Sequence, residues 1–179
     1  MKLKHIFLAI MLLFLMAGCE GEITGIVVDA ETGQPIEGAV ILVEWTKAKG
    51  LPGMTYTESY KVVEVITNKE GKASIEGVSN PLVDYPRVTV YKKGYVAWNS
   101  EIIFPDYKKR TDFKWKNNYV FNLEKFKPEY SYDKHTDFIG SAILSNIAME
   151  KKRIMFNAYE WEGHKAFEER DEARKKKGH

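Results

Sequence analysis

The chain has 179 residues, of which 44% are hydrophobic, 29% charged and 13% aromatic. This composition excludes wholesale disorder and supplies enough apolar side chains for a core of one-domain size. The single cysteine excludes an intramolecular disulfide framework and any zinc cluster built on cysteines.

The first 18 residues have the organisation of a secretory signal peptide. Lys2 and Lys4 form a basic start, and residues 6–17 are an unbroken apolar run. As a helix, the 12 residues of this run would rise about 18 Å, short of the ~30 Å hydrocarbon core of a bilayer. The small residues Ala17 and Gly18 suit a signal peptidase site. The sequence therefore predicts a signal peptide at residues 1–18 rather than a stable membrane span.

Cys19 follows these small residues directly. Residues 15–19 (LMAGC) resemble the lipobox of bacterial lipoproteins, with Met16 in place of the usual Leu. The resemblance implies that the Cys19 thiol carries acyl chains such as palmitate, two or three in all, since a single chain holds a membrane weakly. Glu20 stands where an aspartate would indicate retention at the inner membrane, which favours the outer membrane. A chance cysteine after an ordinary secretory signal is the alternative.

The charge balance argues against a nucleic-acid partner. The chain has 27 basic and 25 acidic residues, and removal of residues 1–18 takes away Lys2 and Lys4 but no acidic residue. The mature chain is therefore neutral, without the basic surface of a general nucleic-acid binder.

Between Gly21 and about residue 125, short β-branched runs alternate with turn residues, a pattern typical of an all-β sandwich. Seven strands are predicted, at residues 22–28, 39–45, 60–67, 72–75, 87–91, 95–104 and 118–123. Residues 49–59, with Gly50, Pro52 and Gly53, are expected to form a lengthened hairpin loop. The predicted fold is mainly β, a seven-stranded antiparallel sandwich of the immunoglobulin or transthyretin type.

Three groups of turn residues carry a family resemblance. They are residues 25–40 (GIVVDAETGQPIEGAV), 67–71 (TNKEG) and 92–95 (KKGY). In this order they resemble carboxypeptidase regulatory-like domains, which are transthyretin-like sandwiches, over residues 21–125. In that family the module is a non-catalytic appendage of peptidases, surface proteins and outer-membrane receptors, and its glycines carry fold geometry. The resemblance implies a fold and no reaction.

The last third of the chain is predicted to be helical. Residues 130–133 are expected to be a linker, and Thr136 or Asp137 to cap the first helix. Apolar residues at three- and four-residue spacing form its predicted stripe: Phe138, Ile139, Ala142, Ile143, Ile147 and Met149. A second helix is expected from about Lys152, and residues 168–177 form a charged tail. The predicted units are a signal peptide at 1–18, a sandwich at 19–125 and a helical extension at 126–179.

These helices have two alternative roles. They cover an exposed face or edge of a sheet, or they dock onto a partner protein. Phe156, Tyr159 and Trp161 are the candidate partner contacts, because aromatic residues are favoured at interface centres. The same three residues would serve equally well in a core.

Motifs for catalysis are absent from the sequence, which has no GxSxG, HExxH, GxGxxG or P-loop pattern. The transthyretin-like hydrolase of purine breakdown has strand histidines, whereas residues 20–134 contain none. The ligand types that could in principle converge on a metal are His135, Asp137, Glu160, Glu162 and His164. Their spacing matches no zinc-enzyme motif. We therefore expect no enzyme, no catalytic residue, no metal and no cofactor.

One basic segment, residues 108–116 (KKRTDFKWK), interleaves cations with aromatic rings. Lys114, Trp115 and Lys116, together with Trp98, are candidate ligand contacts for a glycan or for anionic lipid headgroups, with the indole rings as stacking surfaces. An ordinary basic loop between two strands is the alternative.

The sequence predicts a cell-envelope lipoprotein that acts as a non-catalytic binding or assembly module. Its expected partners are the membrane, through Cys19, and an envelope protein. The alternative is a glycan- or anionic-surface-binding lipoprotein that uses exposed aromatic residues, and an enzyme is the least supported reading.

Overall fold

The computed structural model describes residues 22–51, 53–143 and 148–177. The predicted signal peptide, Cys19 and Ile147 of the predicted stripe lie outside these ranges. Strand residues outnumber helical ones, and the helices lie in the last third, so the expectation of a mainly β fold with a helical carboxy-terminal part is confirmed. No helix in the described ranges combines the length and hydrophobicity that a membrane crossing requires.

The described residues form nine strands, two α-helices and one short 3₁₀ helix. The strands are β1 (Glu22–Asp29), β2 (Val40–Leu51), β3 (Met54–Ile66), β4 (Lys72–Glu76), β5 (Arg87–Tyr91), β6 (Trp98–Asn99), β7 (Ile102–Ile103), β8 (Lys108–Lys109) and β9 (Tyr119–Leu123). The helices are α1 (Tyr132–Ala142) and α2 (Arg153–Lys177), and the 3₁₀ helix Met149–Lys151 precedes α2.

The strands form three sheets. One has the order β4-β1-β9, the second the order β3-β2-β5-β6, and β7 pairs with β8. The prediction of an exclusively antiparallel fold is wrong, because β1 and β9 pair in parallel, with Gly25 opposite Tyr119. Some 90 residues separate these strands, so no tight turn forces them to run in opposite directions.

The strand count also differs from the predicted seven. The predicted strand 95–104 is interrupted after Asn99, whose Oδ1 accepts the N–H groups of Glu101 at 2.8 Å and Ile102 at 3.0 Å. These hydrogen bonds turn the chain, so that Ile102 and Ile103 pair with β8 instead of continuing β6. A side-chain amide that competes for backbone donors ends the strand.

Residues 49–51 and 54–59 belong to strands β2 and β3, contrary to the predicted loop. β2 and β3 pair continuously from Val40 opposite Ile66 to Leu51 opposite Met54, with one register shift after Trp45. On the outer half, Glu58 contacts the Nζ atoms of Lys47 at 3.3 Å and Lys49 at 3.0 Å. Cross-strand pairs of this kind extend the hairpin, and the glycines allow a tight turn at its tip instead of a long loop.

The main core draws side chains from both larger sheets. Its fully buried members include Val27 of β1, Ile75 of β4, Phe121 of β9, and Ile41, Val43, Val88 and Val90 of the second sheet. Trp98 lies among aromatic rings in this core, 4.9 Å from the ring centroid of Phe121. The inward residues alternate along β1, β4 and β9, as expected for strands with one buried face.

A second core lies between the second sheet and the helices. Val40, Leu42 and Tyr91 project from β2 and β5 onto Phe138 and Ile139 of α1 and Met155 of α2, among others. Every residue of β2 from Val40 to Trp45 is buried, which confirms that its apolar run indicates a strand covered on both faces. The helices thus cover a sheet face, one of the two roles left open by the sequence.

Carboxylates from elsewhere in the chain satisfy both helix starts. Glu169 of α2 accepts the N–H groups of Tyr132 at 2.9 Å and Asp133 at 3.0 Å, and Ser131 is the N-cap of α1. Glu64 of β3 accepts the N–H groups of Ile154 and Met155 at 2.9 and 2.7 Å. Such contacts supply acceptors for unpaired amide groups at the positive end of a helix.

The predicted boundaries of α1 are therefore wrong. Residues 130–133 are not a linker but contain the cap and first turn, and neither Thr136 nor Asp137 caps the helix. Ser131 is the better cap because Glu169, distant in sequence, adds two hydrogen bonds to the same turn.

Asp29 closes the turn after β1. Its Oδ1 accepts the N–H groups of Glu31 and Thr32, each at 2.9 Å, and its Oδ2 accepts the Tyr95 hydroxyl at 3.1 Å. These donors, the Thr32 amide foremost, lower the pKa of Asp29 to about 2 from an ordinary value of 3.8. The ionised form of Asp29 is thereby linked to folding.

Asp29 is expected to stabilise the protein above about pH 4, and this contribution should be lost as the pH falls from about 4 to about 2. Asp29→Asn should lower the urea midpoint near pH 7, and most of this difference should be lost near pH 2, where about half of the native aspartate is protonated as well. Urea titrations across this range measure the effect, with Glu31→Gln as the control. A loss of equal size at both pH values would contradict the proposed role of the charge.

Candidate functional site

A hydrogen-bonded network links the helices to β5. The Nδ1 of His135 lies 2.6 Å from Oε2 of Glu162, and Oε1 of Glu162 accepts the Tyr91 hydroxyl at 2.8 Å. The Tyr91 oxygen in turn accepts the Nε1–H of Trp161 at 2.8 Å. On the other side of the imidazole, Nε2 of His135 accepts the Ala97 N–H at 2.9 Å. A backbone donor at Nε2 leaves the ring proton on Nδ1, which donates to Glu162.

This network resembles the base and orienting carboxylate of many active sites, but its geometry serves packing. His135 is fully buried, and the nitrogen that would take a proton from a substrate is held by Ala97. Burial, with the nearby charge of Glu162, raises the pKa of the Tyr91 phenol, so Tyr91 remains a neutral donor. The network therefore joins α1, α2 and β5, with His135, Glu162 and Tyr91 buried and Trp161 partly buried.

The structure places the candidate metal ligands apart. His135 and Glu162 meet, whereas His164 is exposed on α2. In the described ranges no group of three or more His, Cys, Asp or Glu side chains is placed to hold a metal ion.

Solvent-accessible binding features concentrate in one groove, which we call the Tyr85 groove. Its larger part has a volume of about 580 Å³ and is lined by Tyr85, Pro86, Ser100, Glu101, Phe113, Lys114 and Trp115. A smaller part of about 150 Å³ adjoins it and reaches Trp45. A concave surface that combines aromatic rings with a few charged groups is the usual form of a binding site.

The floor of the Tyr85 groove is held in place while its rim is open. Trp115 packs edge-on against Trp45, with ring centroids 5.9 Å apart, and Glu101 forms a 2.6 Å ion pair with Arg87. The Asp84 N–H donates to the Thr46 carbonyl at 2.9 Å, which positions the next residue, Tyr85. The Tyr85 side chain is 89% exposed, so its ring is available for contact.

The structure separates the four candidate ligand residues. Trp115 and Lys114 line the Tyr85 groove, and Lys116 is exposed on the same segment. The expectation that Trp98 is exposed is wrong, because Trp98 is only 7% exposed. Its ring packs in the main core beneath the Arg110 guanidinium, 4.5 Å from the ring centroid. Trp98 lies on the edge strand β6 opposite Val90, on the face of the sheet that packs in the main core, and its ring is therefore buried.

The candidate partner contacts Phe156, Tyr159 and Trp161 lie between α2 and the rest of the protein. Phe156 and Tyr159 are partly buried against the second core. Trp161 donates to Tyr91, and the Nζ of Lys93 lies 4.5 Å from its ring centroid. Their packing role is thus visible within the chain itself.

Sequence reasoning missed Tyr85 and the pairing of Glu101 with Arg87. Tyr85 lies in a segment without periodicity, between Asp84 and Pro86. The Tyr-Pro pair predicts extended backbone, a signal that could have marked an exposed ring before β5. Nothing local to Glu101 indicates its partner, because the two residues meet only through the pairing of β5 and β6.

Comparison with known proteins adds no assignment, since the sequence matches no family model and no curated protein. The resemblance to carboxypeptidase regulatory-like domains depends on the three groups of turn residues. In the structure Gly33, Gly38, Gly71 and Gly94 have φ angles of 70°, 70°, 68° and 86°. Left-handed backbone favours glycine, which fits a geometric role for these residues.

Glu162→Gln tests the structural role of the buried network. Gln keeps the volume but has one acceptor oxygen where Glu162 has two, one facing His135 and one facing Tyr91. Its amide nitrogen donates only, so at least one buried hydrogen bond is lost. We expect a loss of about 1–3 kcal/mol in the free energy of unfolding, measured by urea denaturation.

Glu160→Gln is the matched control, because Glu160 is exposed on the same helix and should change stability by less than about 0.5 kcal/mol. Equal effects of the two substitutions would contradict a structural role for the network.

Proposed function

We propose that this protein is a cell-envelope lipoprotein in which a transthyretin-like β-sandwich acts as a non-catalytic binding or assembly module. An acylated Cys19 would hold it at a membrane, with the outer membrane favoured by Glu20. The observation that carries the binding role is the Tyr85 groove, an accessible surface with the exposed ring of Tyr85 and the partly buried rings of Phe113 and Trp115.

The sandwich architecture is supported by the composition of the main core. Val27 and Phe121 from the first sheet and Ile41 and Val90 from the second belong to one buried cluster. Two sheets that share such a cluster have the layered arrangement of a sandwich. The left-handed glycines of the three motif groups support the transthyretin-like assignment.

A binding role suits the chemistry of the groove better than catalysis. Its charged groups are Asp84, Lys114 and Glu101, the last of which is paired with Arg87. The imidazole–carboxylate pair of His135 and Glu162 is buried elsewhere. Near the groove, Leu82 is 82% exposed and adds apolar surface beside Tyr85. Exposed aromatic and apolar side chains framed by charges are typical of protein–protein contact sites.

Glycan binding is the second candidate function. It is favoured by Trp115 and Lys114, which line the same part of the groove. The C–H face of a pyranose ring can pack on the electron-rich face of an aromatic ring, and a lysine can donate to sugar oxygens. Buried Trp98 takes no part in this candidate.

The anchor is tested with Cys19→Ser in the native host. The wild-type protein should fractionate with membranes and carry acyl chains by intact mass spectrometry, whereas the variant should lack the acyl mass and leave the membrane fraction. A wild-type protein without acyl mass would overturn the lipoprotein proposal.

The binding role is tested by in-cell crosslinking of the tagged, full-length protein followed by mass spectrometry. If the groove binds an envelope protein, one dominant protein should be captured by the wild type and lost with Tyr85→Ala. Phe167→Ala is the control, because Phe167 is 66% exposed on α2 outside the groove. Scattered products unaffected by Tyr85→Ala would count against an envelope protein partner at the groove.

The glycan alternative has its own readout. Polysaccharide affinity gels should retain the wild-type protein and release Trp115→Ala if the groove binds glycan, while Phe167→Ala should be retained. No retention of the wild type would remove this alternative.

A further inference from the structure

The start of β1 and the outer half of the β2–β3 hairpin lie at the same end of the sheets. Glu22 is opposite Glu76 at the end of β4. Glu76 forms a 3.2 Å ion pair with Lys61 of β3, and Lys61 is opposite Trp45 of β2. Glu22 therefore lies at the level of Trp45. We call this the amino-terminal end of the sheets.

Two further segments reach this end. The Thr24 N–H donates to the Asn117 side chain at 2.8 Å, which places the segment of Lys114–Lys116 beside the start of β1. The segment after β4 returns to Thr46 through the Asp84 hydrogen bond. The Tyr85 groove therefore opens at the amino-terminal end of the sheets.

The β2–β3 hairpin projects beyond this end. Five residue steps lead from Thr46 to Leu51, which at about 3.4 Å per step gives a projection of about 17 Å. At its tip, Leu51 is 73% and Met54 79% exposed. Burial of these two exposed apolar side chains against an apolar surface would have a favourable free energy.

The exposed side chains around the hairpin have the composition of a membrane-interface surface. Besides Leu51 and Met54, this end exposes Leu82 at 82% and Tyr85 at 89%. Lys114 and Lys116 are exposed beside them, and Trp115 is partly buried. Tyrosine and tryptophan are favoured at the headgroup level of bilayers, apolar side chains insert below it, and lysines contact anionic headgroups.

The other basic cluster of the chain points away. The first turn of α2 contacts Glu64 of β3, and Glu162, further along α2, contacts Tyr91 of β5. Tyr91 lies at the end of β5 remote from Arg87, which pairs with Glu44. The last turn of α2, with Arg174 and Lys175–Lys177, therefore lies toward the opposite end.

We propose that the amino-terminal end of the sheets is a lipid-binding surface, with the hairpin tip inserted in the bilayer interface and the Tyr85 groove resting on the headgroups. This inference rests on the proposed acylation of Cys19. Three residue steps lead from Cys19 to Glu22 and span at most about 10 Å. Because this tether is shorter than the projection of the hairpin, an inserted anchor brings the tip within reach of the bilayer.

The tether also decides between lipid and the other ligands of the groove. A lipid surface attached through three residue steps is present at a high effective concentration, whereas a glycan or a protein must arrive from solution. The bilayer is thus the occupant that the position of the anchor favours, and the two other occupants are outcomes of the test.

The proposal is tested by depth-dependent quenching on the full-length, acylated protein in vesicles. The chain has a single cysteine, and acylation blocks it, so Met54→Cys creates the only free thiol for an environment-sensitive fluorophore. In vesicles of phosphatidylethanolamine and phosphatidylglycerol with spin-labelled lipid, the probe should shift to shorter wavelength and lose most of its emission. Ala173→Cys, exposed near the end of α2, is the matched control and should show neither change.

The lysines are tested in the same assay. The Lys114→Gln, Lys116→Gln double variant should weaken quenching at Met54→Cys in phosphatidylglycerol vesicles and leave it unchanged in purely zwitterionic vesicles. Equal quenching of the double variant and its parent in both vesicles would overturn the role of these two lysines.

Separate outcomes identify which proposal fails. Absence of acyl mass in the wild-type protein overturns both the lipoprotein and the lipid surface. Acylated protein that floats with vesicles while Met54→Cys is no more quenched than Ala173→Cys overturns the lipid surface alone. Retention on a polysaccharide gel, or one crosslinked envelope protein, that depends on Tyr85 or Trp115 while the tip stays unquenched assigns the groove to that ligand instead.

Discussion

The two-sided burial of β2 is the constraint on which the rest of the structure depends. Residues Val40 to Trp45 are all buried, alternately in the core between the larger sheets and in the core beneath the helices. A strand with two apolar faces needs a layer on each side. Helices α1 and α2 are therefore an integral layer of the fold, and the aromatic residues on α2 are largely occupied by packing.

Acidic side chains keep that helical layer in register. Glu64 and Glu169 satisfy the starts of α2 and α1, Glu162 joins His135 to Tyr91, and Glu44 of β2 pairs with buried Lys152 before α2. Buried charged groups contribute specificity only when their hydrogen bonds are met, since an unmet one costs about 1–3 kcal/mol. The imidazole–carboxylate pair that resembles catalytic machinery is better understood as one of these links.

With one face of the second sheet occupied by helices, the accessible binding features lie at an end of the sheets. Tyr85, Trp115 and Lys114 meet there because the start of β5, the start of β9 and the Trp45 region of β2 lie at the same end of the sheets. Glu22, three residue steps after the proposed anchor, lies at the same end. A short tether would then orient the protein as well as localise it, with the Tyr85 groove toward the lipid and the charged last turns of α2 away from it.

Local patterns in the sequence predicted the mainly β body, the apolar run of β2 as a strand buried on both faces, and the helices of the last third. These follow from residue spacing, since period and β-branching act within a few residues. The hairpin at residues 49–59, the parallel pairing of β1 with β9 and the Ser131 cap escaped prediction. Each depends on a partner distant in sequence, such as Glu58, Tyr119 or Glu169.

Residue spacing by itself thus determined which segments are strands or helices, and drew attention to Lys114 and Trp115. Only the tertiary structure decided that Trp98 is buried, that Tyr85 joins Trp115, and at which end the groove opens, because strand pairing sets these distances.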